Sequence, residues 1–498
     1  MNGSAGGNNY DIIVVGAGIS GINAGYRIQE RLPGHSYTIL EARHDLGGTW
    51  SLFKYPGIRS DSDLHTFGYP FNPWQKPNPI ALGDSVHEYM EETASKFGID
   101  KKIQYHHRVA AMDWSSETQH WRLEVDVGNV ANVERVERKI FYAKFAILGT
   151  GYYDYENPLD AKIPGLKNFQ GLTVHPQFWP EDLDFKGKKM VIIGSGATAV
   201  TILPSVVAEG VGHATMLQRS PSYVMNSPQK KPGDKDWMDM LPRWLALRLV
   251  RLQFIVIPYL LYLFCQAFPK RAANFIRSEA KKDLPKDFQM DPHFYPTYNP
   301  WDQRLCFCPD SDFFKCLGTG RASMVTATIK EVVSDGIVLN ETGEKLPADI
   351  IVTATGLRLS VCGKIAITVD KKPVNIGDQV AWHTTMLTTM PNLAVIIGYA
   401  NASWTLGSDS ACRLITRLIQ HMDANKYTSA TPRVDPNRAA AELPLLPLKS
   451  TYVKEGGSAM PKSLNYGPWL PRNNYFMDTW IANRGSISDG LEFKSVKS

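Results

Sequence analysis

The distribution of apolar positions predicts an α/β protein with two similar units. Residues 10–15 and residues 188–193 are apolar and rich in β-branched side chains, which is typical of buried parallel strands. Each run leads directly into a glycine-rich turn and then into a helical pattern, over residues 16–28 and residues 194–207. Strand, glycine turn and helix in this order predict a Rossmann-like unit.

The rest of the apolar pattern predicts further strands and a helix in these units. Residues 103–144 alternate as antiparallel strands do. Two further apolar strands, at 145–148 and at 349–353, end in the turns G-T-G and A-T-G. After a last strand, the polar residues 407–409 are expected to cap a helix over residues 410–422. The aromatic tail is expected to wall an apolar pocket, and its candidate residues are Asn465, Tyr466, Trp469, Tyr475 and Trp480.

The pattern changes between residues 226 and 300, where aromatic and apolar positions dominate. The run 252–269 carries no charge for 18 residues and contains Pro258, whereas a membrane span needs about 20 apolar residues. We expect a helical insert that lines a substrate channel. Peripheral membrane contact through residues 241–268, assisted by flanking basic residues, is the alternative.

Composition excludes several classes of protein. The 498 residues, 43% hydrophobic and 21% charged, indicate a globular protein of two or three domains. The net charge of +5 is too small and dispersed for a nucleic-acid partner. The first ten residues lack the pattern of a signal peptide. Six cysteines without a C-x-x-C pair indicate free thiols in the cytoplasm, and no metal site is expected.

The first glycine motif is predicted to bind FAD. Gly16 would make the tight turn, Gly18 would let a pyrophosphate approach the backbone, and Gly21 would let helix and strand pack. The helix that follows offers free N–H groups to phosphate. A second strand, residues 37–40, ends at Glu41, whose carboxylate can accept both ribose hydroxyls of an adenosine.

The second motif is predicted to bind NADPH. Its glycine-turn residues are Gly194, Gly196, Thr198 and Ala199. The next strand, residues 214–217, is followed by Arg219 and Ser220, in the zone where the first motif has Glu41. An arginine and a hydroxyl at this place suit a 2′-phosphate, which a carboxylate would repel.

The predicted fold is therefore α/β, with two Rossmann-like dinucleotide-binding domains, for FAD and for NADPH, and a helical insert in the NADPH domain. The FAD-binding domain is expected to comprise residues 1–150 and 356–498. The NADPH-binding domain, with a linker motif, is expected to comprise residues 151–225 and 301–355. The insert is expected to comprise residues 226–300.

Two longer motifs carry a family resemblance. The stretch 169–180 reads FQGLTVHPQFWP, with the pattern F-x-G-x-x-x-H-x-x-x-W-P formed by Phe169, Gly171, His175, Trp179 and Pro180. The stretch 47–61 reads GGTWSLFKYPGIRSD, with flavin-loop candidates Gly48, Thr49 and Trp50 and an acid at Asp61. Both resemble fingerprints of type I Baeyer–Villiger monooxygenases, which are class B flavoprotein monooxygenases. The continuation SDSDLHTFGYPFNPW resembles the branch that includes the mycobacterial ethionamide-activating monooxygenase.

The resemblance implies a function and site residues. Members use NADPH, FAD and dioxygen to insert oxygen into ketones through a peroxyflavin, and can oxidise thioethers. Arg304 matches the family's active-site arginine, and Asp61 matches the acid that holds it. Gln303 departs from the lysine common in cyclohexanone-type members. Stretch 169–180 is expected to be a link between the domains, with His175 buried in it. Asp63 and Arg59 are further candidates near the flavin glycines.

Two alternatives stay open at this point. The chain could be an N- or S-oxygenating flavin monooxygenase, against which Trp179 and Asp61 argue. It could also be a two-site flavoprotein disulfide reductase, which would need a redox cysteine pair beside the flavin. The expected partners are a small ketone or thioether and dioxygen.

Overall fold

The first part of the chain builds most of the larger of two central sheets. The computed structural model describes residues 7–128, 136–230, 237–399, 401–447, 453 and 456–495. The first elements are β1 (Asn9–Val15), α1 (Ile19–Arg31), β2 (Tyr37–Leu40), α2 (Thr49–Leu52), α3 (Leu64–Phe67), α4 (Gly83–Lys96), β3 (Ile103–Gln104), β4 (His107–Ser115), β5 (His120–Val127) and β6 (Glu137–Leu148). Strand β1 pairs in parallel with β2 and β6, while β4, β5 and β6 are antiparallel neighbours. Both patterns confirm the expectation from the sequence.

The middle of the chain builds the second sheet and the insert. Its elements are β7 (Leu172–Val174), β8 (Lys189–Ile193), α5 (Ala197–Ala208), β9 (His213–Gln218), β10 (Val224–Ser227), α6 (Arg243–Ala267), α7 (Pro269–Asp283), β11 (Cys306–Pro309), α8 (Asp312–Cys316), β12 (Ala322–Thr326), β13 (Ile329–Val333), β14 (Gly336–Leu339), β15 (Lys345–Pro347) and β16 (Ile350–Thr353). Five strands form a wholly parallel sheet in the order β12-β9-β8-β16-β7. Helices α6 and α7 are the predicted helical insert.

The last part returns to the larger sheet. Its elements are β17 (Ala366–Val369), β18 (Lys372–Pro373), β19 (Ala381–Trp382), β20 (Met386–Leu387), β21 (Leu393–Val395), α9 (Trp404–Asn425), β22 (Ser429–Pro432), β23 (Glu442–Pro444), β24 (Lys462–Leu464), α10 (Tyr475–Arg484) and β25 (Leu491–Lys494). Strand β21 pairs in parallel with β6, and β17 pairs in parallel with β4. The larger sheet therefore combines strands from both ends of the chain.

The predicted start of α9 is wrong. The helix begins at Trp404, so residues 407–409 lie inside its first turns instead of capping it. Contacts with neighbouring elements explain why positions 407 and 409 are glycine and aspartate. A side chain at Gly407 would bring a Cβ within 2.9 Å of the Gly398 backbone. The carboxylate of Asp409 accepts from Arg27 on α1 at 2.8 Å and from Arg413 at 2.8 Å.

The stretch 169–180, which the sequence predicts to be a link at the start of the second unit, has regular structure. It contains β7, which is the edge strand of the parallel sheet and pairs with β16. The stretch is therefore part of the second domain as well as a connection to it. His175 is half-buried, not buried, because it follows β7 at the end of the sheet.

Each sheet has its own apolar core, and polar contacts join the two halves. Arg59, after α2, forms an ion pair with Asp312 on α8. Arg251 on α6 donates to the carbonyl oxygens of His65 and Gly68 at 2.7 and 2.8 Å. All six cysteines are free and buried.

Candidate functional site

A cavity of about 960 Å³ lies between the two sheets, at the carboxyl ends of their parallel strands. This is the place where open α/β sheets bind ligands. Most of the predicted site residues contribute to its wall, namely Gly18, Gly48, Thr49, Trp50, Asp61, Gly194, Gly196, Thr198, Arg219, Ser220 and Arg304. The sequence thus identified groups that are far apart in the chain and share one cavity.

The first glycine motif has the backbone geometry of a phosphate-binding turn. Gly16 has φ +95°, and a Cβ on Gly21 would lie 1.8 Å from the Gly16 carbonyl oxygen. Neither residue tolerates a side chain. Gly18 immediately precedes α1 and faces the Gly48 backbone. The N-terminus of α1 therefore points its free N–H groups toward the cavity.

The second motif repeats this geometry at α5. Gly194 has φ +138°, and a Cβ there would lie 2.2 Å from the carbonyl oxygen of Ala354 in the A-T-G turn. A Cβ on Gly196 would meet no atom within 4 Å, so this glycine leaves open space in front of the helix. Ala199 is buried in the core behind the turn and does not line the cavity. Such space beside helical N–H groups fits a pyrophosphate.

The strand ends differ between the two motifs as predicted. Glu41 is buried, and its two oxygens accept from the backbone N–H groups of Ala17 at 2.7 Å and Arg43 at 3.0 Å. Burial raises the pKa of this carboxyl. Each oxygen keeps a second lone pair for a ribose hydroxyl. At the other motif, Arg219 is exposed at the cavity wall beside Ser220, whose carbonyl accepts from Ser195 at 2.8 Å.

The structure brings the two predicted catalytic residues together across the domain boundary. Nη1 of Arg304 lies 3.2 Å from Oδ2 of Asp61, and Nη2 donates to the Tyr152 hydroxyl at 3.2 Å. Tyr152 stacks on Trp404 with ring centroids 5.0 Å apart. The guanidinium is therefore held from two sides, next to the stacked rings of Tyr152 and Trp404.

Two further charged candidates have structural partners. Arg59 is paired with Asp312 at the cavity wall, so its charge is neutralised locally. Asp63 accepts from the backbone N–H of Thr66 at 2.7 Å and from its hydroxyl at 2.6 Å, and thereby caps α3. Burial raises the pKa of Asp63 to about 6. Asp63 begins a helix, whereas on a strand its spacing would have placed it on the same face as Asp61.

The residues of the 169–180 motif lie outside the cavity wall. Trp179 packs against Phe185 within the second core, and Phe169 packs beneath the small sheet of β13, β14 and β15. A Cβ on Gly171 would lie 2.4 Å from the Asp349 carbonyl oxygen. His175 accepts from the Gln177 N–H at 3.2 Å, and burial lowers its pKa. Pro180 is exposed. These contacts hold the stretch within the second domain, away from the cavity.

Sequence reasoning missed Tyr152 and Trp404. The signal for Tyr152 was present, since it directly follows the turn 149–151 at the carboxyl end of β6. The prediction for the tail is largely wrong. Of its five candidates only Tyr475 lines the cavity, because Trp469 fills the first core and Trp480 is exposed.

A cluster of Asp45, His87 and Glu91 is the one group of described residues whose ligand atoms lie close enough together to hold a metal ion. Nε2 of His87 lies 2.9 Å from a carboxylate oxygen of Asp45, and Glu91 is exposed. Surface groups of this kind hold together without an ion. The cluster lies outside the cavity wall.

Comparisons with known proteins agree with this geometry. The family model described as "Flavin-binding monooxygenase-like" matches residues 9–363. "FAD-containing monooxygenase EthA" of Mycolicibacterium smegmatis is 41% identical over 470 residues, which is 94% of each chain. "Putative FAD-containing monooxygenase MymA" of Mycobacterium tuberculosis is 41% identical over 490 residues, which is 97% of each chain.

Solved structures share the fold. A steroid monooxygenase bound to NADP has a TM-score of 0.73 at 21% identity, over 98% of this chain and 100% of that chain. OTEMO in complex with FAD and NADP has a TM-score of 0.73 at 19% identity, over 98% and 100%. These neighbours confirm the predicted fold class, and the OTEMO crystals hold the two cofactors expected from the sequence. With its two dinucleotide-type turns facing one cavity, and with relatives matched over nearly the whole chain, the protein belongs to the flavin-binding monooxygenase-like family.

Proposed function

We propose that this protein is an NADPH- and dioxygen-dependent FAD monooxygenase that inserts oxygen into ketones to give esters or lactones. The observation that carries the proposal is the cluster of Arg304, Asp61 and Tyr152 between two dinucleotide-type turns. We further propose that the same site oxidises thioethers. An N- or S-oxygenating flavin monooxygenase without ketone activity is the alternative.

The two turns fit FAD and NADPH in different places. The FAD pyrophosphate would lie at Gly18 and the N-terminus of α1, with the ribose near Glu41. The isoalloxazine ring would lie by the loop of Gly48, Thr49 and Trp50. For NADPH, Gly196 and Thr198 would hold the pyrophosphate, and Arg219 with Ser220 would hold the 2′-phosphate.

The chemistry that the two cofactors supply when bound is reduction of the flavin by NADPH and activation of dioxygen. The chain's own contribution is charge and position. A guanidinium remains protonated at every working pH, so Arg304 keeps a fixed positive charge at the site. That charge stabilises negative charge developing on the substrate's carbonyl oxygen. Asp61 and Tyr152 orient the guanidinium, and Trp404 stacks on Tyr152 beside it.

The cysteines argue against the disulfide reductase alternative. That chemistry needs a pair of reactive thiols beside the flavin. All six cysteines are free and buried, and burial raises the pKa of Cys306 to about 12, although its side chain contributes to the cavity wall. A protonated, buried thiol is a poor nucleophile.

The substrate side of the cavity is apolar. Phe254 and Pro258 of α6 and Tyr475 and Phe476 of α10 contribute to it. We propose a hydrophobic small molecule as the substrate, and cytoplasmic localisation. The domain bounds predicted from the sequence, with the insert at 226–300, remain part of this proposal.

Product analysis tests the proposed reaction. The purified protein with FAD and NADPH would be incubated in air with linear, cyclic and aryl ketones and with thioethers, and products would be identified by mass spectrometry. We expect an ester or lactone that carries one atom of ¹⁸O from ¹⁸O₂. If only sulfur or nitrogen is oxidised and no ketone gains oxygen, the N- or S-oxygenating alternative replaces the proposal.

A further inference from the structure

The outer face of α6 is an unusual surface for a protein in water. Among the described residues, α6 is the one helix long and apolar enough to cross a membrane by length and composition. Four of its large apolar side chains are more than 40% exposed and lie outside the cavity wall, namely Trp244, Leu252, Leu260 and Leu263. Exposed apolar surface of this extent marks an interaction site.

The opposite face of α6 is fastened to the protein. Arg251 donates to the carbonyl oxygens of His65 and Gly68, and Cys265 is buried. The flank of α6 next to α10 is fastened as well, because the Tyr259 hydroxyl accepts from Asn474 at 2.9 Å. With one face bound to the domain, α6 cannot leave it to span a bilayer while the fold persists. A helix held in this way can only lie along a membrane surface.

A second helix extends the apolar surface. Phe476 at the start of α10 contacts Tyr259 edge to face, with centroids 5.6 Å apart. Met477 and Trp480 lie outside the cavity wall and are more than 40% exposed, while Phe476, which also contributes to the cavity wall, is 44% exposed. Tryptophan and phenylalanine beside leucine are the residues that insert into the boundary between headgroups and acyl chains.

The charges along residues 243–278 are all of one sign, whereas α10 carries Asp478, which pairs with Arg472 and accepts from the Tyr399 hydroxyl. From residue 243 to residue 278 the chain contains no aspartate or glutamate. The exposed cations Arg243 and Arg248 lie at the start of α6, and Lys270 and Arg271 follow its end. Arg248 lies over the Trp244 ring at 5.4 Å. Cations flanking an apolar face complement anionic lipid headgroups.

We propose that the outer face of α6, together with the first turns of α10, docks on the surface of an anionic phospholipid bilayer. The inner face of the same helix lines the cavity through Phe254, Pro258 and Leu261. Docking therefore places the cavity wall against the lipid. A hydrophobic substrate dissolved in the bilayer would reach the site past α6, a consequence that rests on the proposed function.

Flotation with lipid vesicles tests the docking without any turnover. The full-length protein with FAD and NADP⁺ would be mixed with vesicles of phosphatidylcholine alone or of phosphatidylcholine and phosphatidylglycerol. We expect binding at least tenfold stronger to the anionic vesicles, weakening as salt is raised because screening reduces the attraction. Absence of binding to anionic vesicles at low salt would overturn the proposal.

Matched variants separate this face from general surface effects. Leu263→Asp should reduce vesicle binding at least tenfold, whereas Tyr142→Asp, at a similarly exposed position on β6, should not. The double variant Lys270→Glu/Arg271→Glu should weaken binding, whereas Lys101→Glu/Lys102→Glu should bind normally. FAD content and melting temperature establish that each variant is folded. If test and control variants bind alike, the face is not the docking site.

Two outcomes identify other roles of the surface. If the protein forms dimers that Leu263→Asp disperses, and no vesicles bind, the face is an interface between copies and the proposal is wrong. For substrate delivery, initial rates would be compared for a long-chain ketone held in anionic vesicles and for a water-soluble ketone. Leu263→Asp should slow only the former, by about fivefold or more. Equal rates would remove delivery and leave docking intact. Lack of turnover with every ketone would count against the proposed function alone.

Discussion

Arg304 is the residue on which the proposed chemistry depends most. Arg304→Ala removes the fixed positive charge, and loss of one such donor typically costs ~10²–10³ in rate. We expect the variant to be reduced by NADPH under anaerobic conditions, but in air to release hydrogen peroxide and form little ester. Stopped-flow absorbance follows the reduction, and gas chromatography measures the ester.

The neighbours of Arg304 provide graded controls. Arg304→Lys retains the charge but loses the fork that contacts Asp61 and Tyr152, so it should fall between wild type and Arg304→Ala. Asp61→Ala and Tyr152→Phe remove one orienting contact each and should show weaker forms of the same defect. Ester formation by Arg304→Ala close to the native rate would exclude Arg304 from catalysis.

Arg219 should determine the choice between NADPH and NADH. A charge-assisted contact to phosphate contributes ~1.5–3 kcal/mol. Arg219→Ala should therefore raise the KM for NADPH by about tenfold or more and leave the kinetics with NADH nearly unchanged. Arg321→Ala, at an exposed arginine outside the cavity wall, is the matched control. Equal losses with both nucleotides would mean that Arg219 has a structural role only.

Asp63 should make stability depend on pH. Its pKa is raised by burial from 3.8 to about 6, so the contribution of this group to stability is complete below pH 3.8 and is lost as pH rises through 6. Asp63→Asn cannot ionise but can still cap α3. Between pH 4 and pH 7, the melting temperature of the variant should therefore rise relative to that of wild type. The matching change in the difference between their free energies of unfolding is on the order of 1–3 kcal/mol.

Comparing Asp63→Asn with wild type isolates the contribution of Asp63 to the pH dependence of stability. The pKa of His65 is lowered to about 4, mainly by burial, which makes both proteins less stable at acid pH to the same extent. That contribution cancels in the difference between them. The exposed control Asp182→Asn should show no such trend. A difference that stays constant from pH 4 to pH 7 would show that Asp63 ionises normally.

At the scale of elements, the segment from β7 to Trp179 should transmit position between the domains. Its first half is a strand of the second sheet, and Gln177 donates to the Asp154 carbonyl at 2.6 Å, close to the turn that precedes Tyr152. His175→Ala loses the acceptor for the Gln177 N–H. We expect it to retain FAD and to turn over severalfold more slowly. Phe178→Ala, exposed in the same segment, is the control, and native rates in His175→Ala would refute the role.

The sequence predicted the regular elements well because their signals are local. Strands β1 and β8, their glycine turns and the helices α1 and α5 each show the expected apolar period within about 20 residues. Elements governed by distant contacts were predicted less well. Residues 407–409 lie inside α9 because of contacts with Gly398 and with Arg27, which is 382 positions from Asp409, and β7 is a strand because β16 offers it an edge.

The site residues also divide into those that a sequence motif indicates and those that depend on distant contacts. Arg304 and Asp61 were predicted through family motifs, since no local pattern indicates that residues separated by 243 positions form an ion pair. Trp404 carries no local signal of its contact with Tyr152. The tail residues failed as pocket candidates because an aromatic composition does not distinguish core from cavity wall. Only the packing of α10 separates Tyr475 from Trp480.

At the scale of the whole molecule, the site exists only where the two halves meet. Arg304 comes from the second half, Asp61 and Tyr152 from the first, and Trp404 from the last part of the chain. The ion pair of Arg59 and Asp312 crosses the same boundary. Small rotations between the halves would therefore change the position of Arg304 relative to the flavin loop.

The burial of every cysteine affects how well the enzyme resists hydrogen peroxide. Monooxygenases that fail to transfer oxygen release hydrogen peroxide, which attacks thiolates and not protonated thiols. Burial raises the pKa of Cys308, Cys316 and Cys362 to about 12, so the native protein presents almost no thiolate.

Iodoacetamide should label no cysteine in the native enzyme and all six after unfolding. Labelling of the native enzyme would show that a thiol is accessible. In the presence of hydrogen peroxide, the lifetime of the enzyme is then limited by how often the protein unfolds. It is not limited by oxidation of thiols in the folded state.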